Sequence, residues 1–450
     1  MRSWPILAVL PLVVTAHGVA LGLHPRAENP PTPATYQRLA DAVEGHWRRE
    51  VLAVWFPRCV DMRRGGFSPS FHEDWTPGEQ NDKTLVFQSR MTWVCAQVAM
   101  KYPEHKPVYL GYTRHGLDFL ETSLWDRQEG GFFWGLDESG KISPHYGTGK
   151  HVYGVAFAMY ATAAAYQATH DPRALDLAKR AFAWLDRHAH DSLHGGYYEA
   201  LSRNGEPILP ATRDVDRMGA APGLDFIGTK YGYKSMNSHI HLLEALTGLY
   251  TVWRDASVGV RLREVFHLVR DRIAVEPGCL NLYFTPDWRP LPDHDSFGHD
   301  VETAYLLLEA AAALHQDDPK TAAVARSLVD HALEWGWDEQ RGGFYDKGGA
   351  FSPAHGRDKI WWTEAEGLNA LLLMHERFGS HTPRYFEAFL KQWDFIDNFQ
   401  ADHRHGEWFE RVSAEGQPLP GQAKGTIWKA AYHNGRALMN VAEMLRRLAR

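Results

Sequence analysis

Cysteine is scarce in this sequence, with 3 residues in 450, at Cys59, Cys95 and Cys279. They lie far apart and show none of the short spacings of a zinc site, so we expect neither a metal centre nor a disulfide framework. We interpret them as buried, inert thiols. Basic clusters and a glycine-rich phosphate loop are also absent, and the net charge is −7. These absences argue against nucleic acid and against nucleotide or redox cofactors.

The N-terminal segment differs in character from the rest of the chain. Arg2 precedes an apolar run over residues 4–14, and Gly18-Val19-Ala20 offers the small residues that precede a signal-peptide cleavage point. The run is too short to span a membrane stably. The pattern predicts a signal peptide over residues 1–20 and a linker over residues 21–35, and hence export to the periplasm or the medium. The alternative is a leader on a cytoplasmic enzyme.

A short signature of paired glycines and an aromatic residue recurs along the chain. Four copies are strict and two are looser, and the steps between their aromatic residues are 65, 65, 86, 61 and 64 residues. The long step contains an extra stretch over residues 213–233 whose composition is typical of a loop. The copies are Gly65-Gly66-Phe67, Gly130-Gly131-Phe132, Gly195-Gly196-Tyr197, Asn281-Leu282-Tyr283, Gly342-Gly343-Phe344 and His405-Gly406-Glu407-Trp408.

Two helical patterns lie between successive signatures. Residues 151–167 and 172–188 form one pair, and residues 299–315 and 319–335 form another. Both pairs are rich in alanine and leucine and have the hydrophobic period of an α-helix. Paired glycines before an aromatic residue, followed by a second polar turn, predict a short β-hairpin. Each unit of about 60 residues therefore holds two helices and one hairpin.

Six such units predict an all-α fold, an (α/α)6 barrel that forms a single domain over residues 36–450 and carries its hairpins at one mouth. An open superhelical solenoid is the alternative arrangement of such repeats. We favour the closed ring because the inner helices carry polar residues that need a shared cavity. In a closed ring the N-terminal turns of all six inner helices meet at that mouth.

Polar residues recur near the start of the predicted inner helices. Arg90 lies among apolar neighbours and needs an acceptor, either a structural ion pair or a developing oxyanion. Tyr153 suits either a substrate hydroxyl or the core. Asn237 and His241 are four residues apart and share a helix face, whereas His239 points elsewhere, which disfavours a metal site. A satisfied core histidine is the alternative for His241.

The later helices add two more histidines. His299 and Glu302 are three residues apart in a first helical turn, where a glutamate can hold the tautomer of an imidazole. Two adjacent tryptophans open the next helix, and we expect one of them, Trp362, to stack on a sugar ring. The last helix is predicted to begin at Thr426, and it carries Trp428 and His433 near its start. Three histidines at equivalent helix starts indicate a site, because buried polar groups must all find partners.

Five strings carry a resemblance to a known family. They are R-x-x-W at residues 90–93, N-S-H-I-H-L-L-E-A at 237–245, G-H-D-V-E at 298–302, W-W-T-E-A-E at 361–366 and W-K-A-A-Y-H-N at 428–434. On these strings the chain resembles the N-acylglucosamine 2-epimerase superfamily, and most closely its cellobiose 2-epimerase branch, from about residue 40 onward. Three departures bear on the substrate: Ala430-Ala431 stands where the family usually has Gly-Pro in W-K-G-P-Y-H-N, residues 74–78 are an insertion, and the loop over residues 213–233 is extended.

The resemblance implies a proton-transfer reaction at C2 of a reducing-end sugar, through a cis-enediolate. His299 and His433 would form the acid/base pair, since imidazoles take and give protons near neutral pH. His241 and Asn237 would bind the reacting end and assist ring opening. Arg90 would stabilise the charge of the enediolate.

The same resemblance assigns further residues and partners. Glu302 would position a histidine, and residues that contact the sugar would be Tyr153, Trp93, Trp362, Trp428 and Glu366. No metal, nucleotide or redox cofactor is implied. The expected partner is a small sugar, with no nucleic acid and no membrane, for a monomer or a homodimer.

Three alternatives stay open on the sequence. The first is another activity of the same superfamily, either N-acylglucosamine 2-epimerase or an aldose–ketose isomerase of mannose or sulfoquinovose. The second is an (α/α)6 glycoside hydrolase, which would need acidic residues in the acid and base roles. The third is a non-catalytic helical-repeat adaptor, which leaves the three histidines unexplained.

Overall fold

The computed structural model describes residues 31–209, 223–316 and 318–450. The predicted signal peptide and most of the predicted linker lie outside these ranges. The first helix begins at Pro33, inside the predicted linker, because Thr32 accepts a hydrogen bond from the Thr35 amide and proline suits a first turn. In the described ranges, no helix combines the length and the apolar character needed to cross a membrane.

Helices form an outer and an inner layer that alternate along the chain. Twelve helices in the described ranges have 12 residues or more. The outer helices are α1 (Pro33–His46), α3 (Lys106–Phe119), α5 (Pro172–Trp184), α7 (Ala256–Leu268), α9 (Pro319–Trp335) and α11 (Arg384–Phe395). The inner helices are α2 (Leu85–Lys101), α4 (Val152–Thr169), α6 (Met236–Val252), α8 (Phe297–Leu314), α10 (Trp361–Phe378) and α12 (His433–Leu448).

Each inner helix packs against the next one along the chain. The ring closes where Lys101 of α2 donates to Glu443 of α12 at 2.6 Å. Beside this contact the ring centroids of Trp93 and Tyr432 are 5.2 Å apart. Most inner helices are buried nearly all round because they touch both the outer layer and their inner neighbours. The structure therefore confirms the predicted (α/α)6 barrel.

Five outer helices end in a π-helical turn. The predicted helix over residues 172–188 consists of α5 and such a turn, so the prediction is confirmed to within one residue. The turn after α1 continues into a short helix, Ala53–Trp55. The π-helical turns are Trp47–Leu52, Leu120–Leu124, Leu185–Ala189, Val269–Ile273 and Ile396–Gln400.

Short strands connect the units around one mouth. The strands are β1 (Lys83–Thr84), β2 (Gly135–Leu136), β3 (Lys150–His151), β4 (Ala200–Leu201), β5 (Lys234–Ser235), β6 (Ala274–Val275), β7 (Cys279–Leu280), β8 (Tyr283–Phe284), β9 (Pro290–Leu291), β10 (Asp295–Ser296), β11 (Lys347–Gly349), β12 (Ser352–Gly356), β13 (Lys359–Ile360) and β14 (Arg411–Val412). The strand before each of five inner helices pairs with a strand of the next unit: β1 with β2, β3 with β4, β5 with β8, β10 with β11 and β13 with β14.

The glycine signature forms the predicted hairpin turns. In the second copy Gly130 and Gly131 both have φ of 69°, where a side chain would be strained, and Phe132 pairs across the turn with Trp125. In the fourth copy the equivalent pairing joins Ala274 to Leu280. That copy therefore centres on Leu280 and not on Tyr283, as the sequence had suggested. The search for an aromatic residue missed the true position because Leu280 stands there.

Buried lysines fasten five of the six hairpins. Lys359, for example, lies in the strand before α10, and its ammonium group contacts Asp338 at 2.8 Å and the Gly342 carbonyl at 2.6 Å. Each lysine reaches the aspartate that opens the preceding glycine turn. The five pairs are Lys83–Asp61, Lys150–Asp126, Lys234–Asp191, Lys359–Asp338 and Lys424–Asp402.

The last inner helix begins later than predicted. The sequence favours a start at Thr426, whereas α12 starts at His433. The Thr426 hydroxyl accepts hydrogen bonds from the amides of Trp428 and Lys429, and the Lys429 ammonium group is buried against Glu407. These contacts hold residues 426–432 out of the helix and place His433 at its first position.

We predict that Lys359→Met lowers the free energy of unfolding by about 3–5 kcal/mol, because it leaves the buried Asp338 carboxylate unpaired. Urea denaturation measures this change. Lys391→Met is the matched control, since Lys391 and Glu339 form an exposed pair at 3.7 Å that contributes at most about 1 kcal/mol. Equal losses in the two variants would contradict the account.

Candidate active site

The mouth of the barrel holds a cavity of about 370 Å³ between the starts of the inner helices. Trp93 and Glu366 do not line it, although the sequence had suggested sugar contacts for both. Trp93 stacks on Tyr160, with ring centroids 5.5 Å apart. The other predicted site residues all line the cavity: Arg90, Tyr153, Asn237, His241, His299, Glu302, Trp362, Trp428 and His433. Three lining residues were not predicted: Phe226, Ile227 and Trp361.

His433 is held by a buried carboxylate. Its Nδ1 donates to Glu366 at 2.8 Å, and Glu302 lies 3.9 Å from the same nitrogen. This bond fixes the ring and leaves Nε2 for the cavity. Burial, helped by Arg90, lowers the pKa of His433 well below its usual value, although Glu302 opposes the shift. The unliganded protein therefore favours a neutral His433, which can accept a proton.

His299 has a different partner from the one predicted. The sequence placed Glu302 beside it, but its Nδ1 lies 2.7 Å from the hydroxyl of Ser296, and Glu302 instead pairs with Arg436 at 2.5 Å. Ser296 directly precedes α8, so its side chain reaches back to the first turn of that helix. Burial lowers the pKa of His299 to about 4, despite the opposing charge of Glu302.

His299 and His433 both contact the ring of Trp362. The ring centroid of Trp362 lies 4.7 Å from that of His299 and 5.9 Å from that of His433. The residues come from α10, α8 and α12, which are neighbours in the inner ring. Barrel closure therefore brings two imidazoles to the same end of the cavity.

His241 and Asn237 line the cavity from α6. The His241 Nδ1 donates to Glu244 at 2.9 Å, and its ring makes an edge contact with Tyr153 at 5.2 Å. The Asn237 carbonyl oxygen is buried and has no hydrogen-bond partner among the described residues. An unsatisfied buried acceptor on a cavity wall is suited to a ligand hydroxyl.

Arg90 is a buried cation without a carboxylate partner in the described part of the chain. Its guanidinium group donates to the Trp428 carbonyl at 3.0 Å and to the Tyr153 hydroxyl at 3.1 Å, and it lies over the ring of Phe157. The structural ion pair considered from the sequence is therefore not formed here. A buried positive charge held only by neutral groups favours an anion in the cavity.

Arg436 connects the carboxylates that support the site, and the sequence did not reveal it. Its guanidinium group contacts Glu302 at 2.5 Å and Glu366 at 2.7 Å, and it also bonds Glu244 and the Tyr432 hydroxyl. All five side chains are buried. Its place three residues after His433, on the same helix face, is the signal that points to it.

The pKa values of two carboxyl groups beside Arg436 shift in opposite directions. Burial alone would raise the pKa of Glu244, but Arg436 and His241 outweigh it and hold that pKa at about 2. Burial raises the pKa of Glu366 in spite of Arg436. The carboxylate behind His241 is therefore firmly ionised, whereas the one behind His433 holds a proton more readily.

The segment after residue 222 brings an aromatic side chain to the cavity. Phe226 stacks on Trp134 with ring centroids 4.5 Å apart, and Asp225 accepts a hydrogen bond from the buried His151 at 2.9 Å. The sequence predicted a loop over residues 213–233, and residues 213–222 lie outside the described ranges. Nothing in its composition showed that Phe226 and Ile227 would line the site.

Comparison with known proteins identifies the family. The chain matches the family model of N-acylglucosamine 2-epimerase (GlcNAc 2-epimerase) over residues 65–215 and 220–437. The chain belongs to the N-acylglucosamine 2-epimerase family. The resemblance seen in the five sequence strings is therefore confirmed, and the chain is a carbohydrate epimerase or isomerase.

Three relatives match this chain over most of its length. A cellobiose 2-epimerase of Bacteroides fragilis is 30% identical over 396 residues, which is 86% of this chain and 94% of the relative. A D-mannose isomerase of Marinomonas mediterranea is 24% identical over 426 residues, 90% of this chain and 97% of the relative. The solved structure of cellobiose 2-epimerase from Spirochaeta thermophila superposes with a TM-score of 0.81 and 29% identity, covering 93% of this chain and 99% of that one.

We predict that His299 titrates well below the ordinary histidine pKa of about 6.5 in the unliganded protein, because burial disfavours its charged form and lowers the pKa to about 4. Its imidazole is then neutral at pH 7 and becomes charged only in acid. NMR titration of the Cε1 proton measures this pKa, with the signal assigned by its loss in His299→Gln. A midpoint at or above pH 6.5 would show that burial does not govern this residue.

Proposed function

We propose that this protein is a 2-epimerase that interconverts glucose and mannose at the reducing end of β-1,4-linked disaccharides. The observation that carries the proposal is the joint position of His299 and His433 around Trp362, beside the unpaired charge of Arg90. The cellobiose 2-epimerases among its relatives support the disaccharide substrate.

The first step is ring opening, which exposes the C1 carbonyl and acidifies the hydrogen on C2. The Asn237 oxygen and the His241 imidazole lie on the α6 wall, where they can bind the hydroxyls of the reacting end. Glu244 holds the His241 ring by its Nδ1, so that Nε2 is left for the sugar. These two residues therefore serve binding and ring opening.

One imidazole then removes the C2 proton, and the other returns a proton to the opposite face. The enediolate formed between these steps is an anion, and Arg90 is the buried cation that can stabilise it. Rotation about C2–C3 presents the second face. Both imidazoles are neutral in the unliganded protein, so one of them must take up a proton from solvent before the reaction. The reaction then starts with one histidine neutral and one protonated and ends with the two exchanged, so the site must tolerate an imidazolium. Glu366 and Glu302 beside His433 provide that compensation.

This reaction moves protons only, and it requires no metal or redox cofactor at this site. Stacking of the sugar on Trp362 and Trp428 would hold the hexose rings, since aromatic faces pack well against them. Glu366 does not line the cavity, so its proposed role is to position His433 and not to contact the sugar.

Aldose–ketose isomerisation is the second candidate, and the D-mannose isomerase relative favours it. Isomerisation uses the same enediolate and differs only in returning the proton to C1.

Export of the mature chain after cleavage near residue 20 also stays a proposal, and it rests on the N-terminal composition.

We predict that incubation with cellobiose in heavy water yields glucosyl-mannose that carries deuterium at C2. The reason is that the returning proton comes from an imidazole that exchanges with solvent. Proton NMR of the product reports which carbon gains deuterium, and N-acetylglucosamine and mannose serve as comparison substrates.

Deuterium at C1 with a ketose product would show the isomerase activity instead. Release of free glucose would show a glycoside hydrolase. Either result from cellobiose would overturn the proposed function, and so would turnover of N-acetylglucosamine or mannose alone.

A further inference from the structure

One of the six repeats departs from the charge pattern of the others. In five repeats a buried lysine fastens the hairpin, and in four of these it lies two residues before an inner helix, as Lys359 does before α10. The fourth repeat carries Asp295 at this position, two residues before α8. Its partner position is also changed, because Val275 stands where the other repeats have the aspartate. An acid thus replaces the cation.

The surroundings of Asp295 hold further acceptors. Asp300 of α8 and His331 of α9 are buried beside it, and one ligand atom from each of the three lies within 4.8 Å of the others. The carboxylate oxygens of both aspartates and the Nδ1 of His331 have no hydrogen-bond partner among the described residues. We call these three residues the Asp295 cluster. None of them lines the sugar cavity.

The hydrogen bonding of His331 adds a third acceptor to the two carboxylates. Its Nε2 donates to the Ala350 carbonyl at 2.9 Å, so a neutral ring presents the lone pair of Nδ1 to the two carboxylates. That nitrogen lies 3.4 Å from Asp295 and 3.7 Å from Asp300. Both distances exceed those of an ordinary N–H···O hydrogen bond, about 2.7–3.2 Å. Three acceptors therefore converge with no donor between them.

We propose that the Asp295 cluster binds a divalent transition-metal ion of the zinc class. Nitrogen and oxygen ligands lie about 2.0–2.2 Å from zinc, so two ligands of a tetrahedral ion are about 3.4 Å apart. The separations of 3.4 and 3.7 Å in the cluster match this geometry. Two carboxylates and one neutral imidazole also form a donor set that suits such ions.

The ion would play the part that lysine plays in the other repeats. It would connect the strand β10, the inner helix α8 and the outer helix α9, as Lys359 connects its strand to the glycine turn. Its role is structural, because the cluster is buried and lies outside the cavity. The proposal does not depend on the sugar substrate, so its test needs no activity assay.

The test uses the untagged full-length protein, stripped with chelator and then dialysed against zinc. We expect one equivalent of zinc per chain by elemental analysis, and a rise in melting temperature of about 5 °C when zinc is added to the stripped protein. His405→Ala is the control, since Glu73, Asp402 and His405 form a partly exposed group that could also bind zinc. This control is expected to keep the equivalent.

Asp295→Lys is the decisive variant because it restores the lysine of the other repeats. We expect it to fold, to lose the zinc equivalent and to melt at the same temperature with and without zinc. His331→Gln, which removes one ligand, serves if the lysine variant does not fold, and it should bind zinc at least 10-fold more weakly. The proposal is overturned if the natural chain binds no zinc, in which case the two carboxyl groups share a proton. It is also overturned if Asp295→Lys folds and keeps the equivalent, or if His331→Gln binds zinc as tightly as the natural chain.

Discussion

The buried guanidinium group of Arg436 is the interaction on which the arrangement of the mouth depends. It contacts Glu244, Glu302 and Glu366 from three inner helices, and it is itself part of a fourth. Such a cluster is stable only while every partner is present, because removal of one charge typically costs about 3–5 kcal/mol. Glu366 in turn orients His433. The same contacts therefore hold the ring of helices together and aim a reacting imidazole.

The two buried arginines of the mouth have opposite tasks because their partners differ. Arg436 is neutralised by carboxylates, so its charge stabilises the packing of the inner helices. Arg90 is held by a carbonyl and a phenol, and its charge is left for an anion that forms in the cavity. Burial meanwhile keeps His299 neutral, ready to accept a proton. A site with this balance favours a reaction in which an anion appears only during turnover.

The fold could be predicted because the repeat is long, regular and apolar. Closure of the ring then brings the starts of all the inner helices to one mouth, which is why most of the site could be predicted too. The centre of the fourth hairpin and the start of the last helix were predicted wrongly, in each case because of a single residue. Leu280 replaces an aromatic residue in the fourth hairpin, and Lys429 pairs with Glu407 and so delays the last helix to His433. The partner of His299 could not be read from spacing, since Glu302 and a serine in the preceding strand compete for it. Side-chain pairing across helices depends on the closed ring and not on local pattern.

The proposed mechanism requires two imidazoles to reach opposite faces of one sugar carbon, and hydrogen exchange at C2 tests this most directly. His299→Gln and His433→Gln are each incubated in heavy water with cellobiose and, separately, with glucosyl-mannose. Each variant should lose epimerisation yet still exchange the C2 hydrogen of one of the two sugars, and the two variants should exchange opposite sugars, because each remaining imidazole serves one face. Exchange of both sugars by both variants, or full epimerisation by either one, would contradict the account.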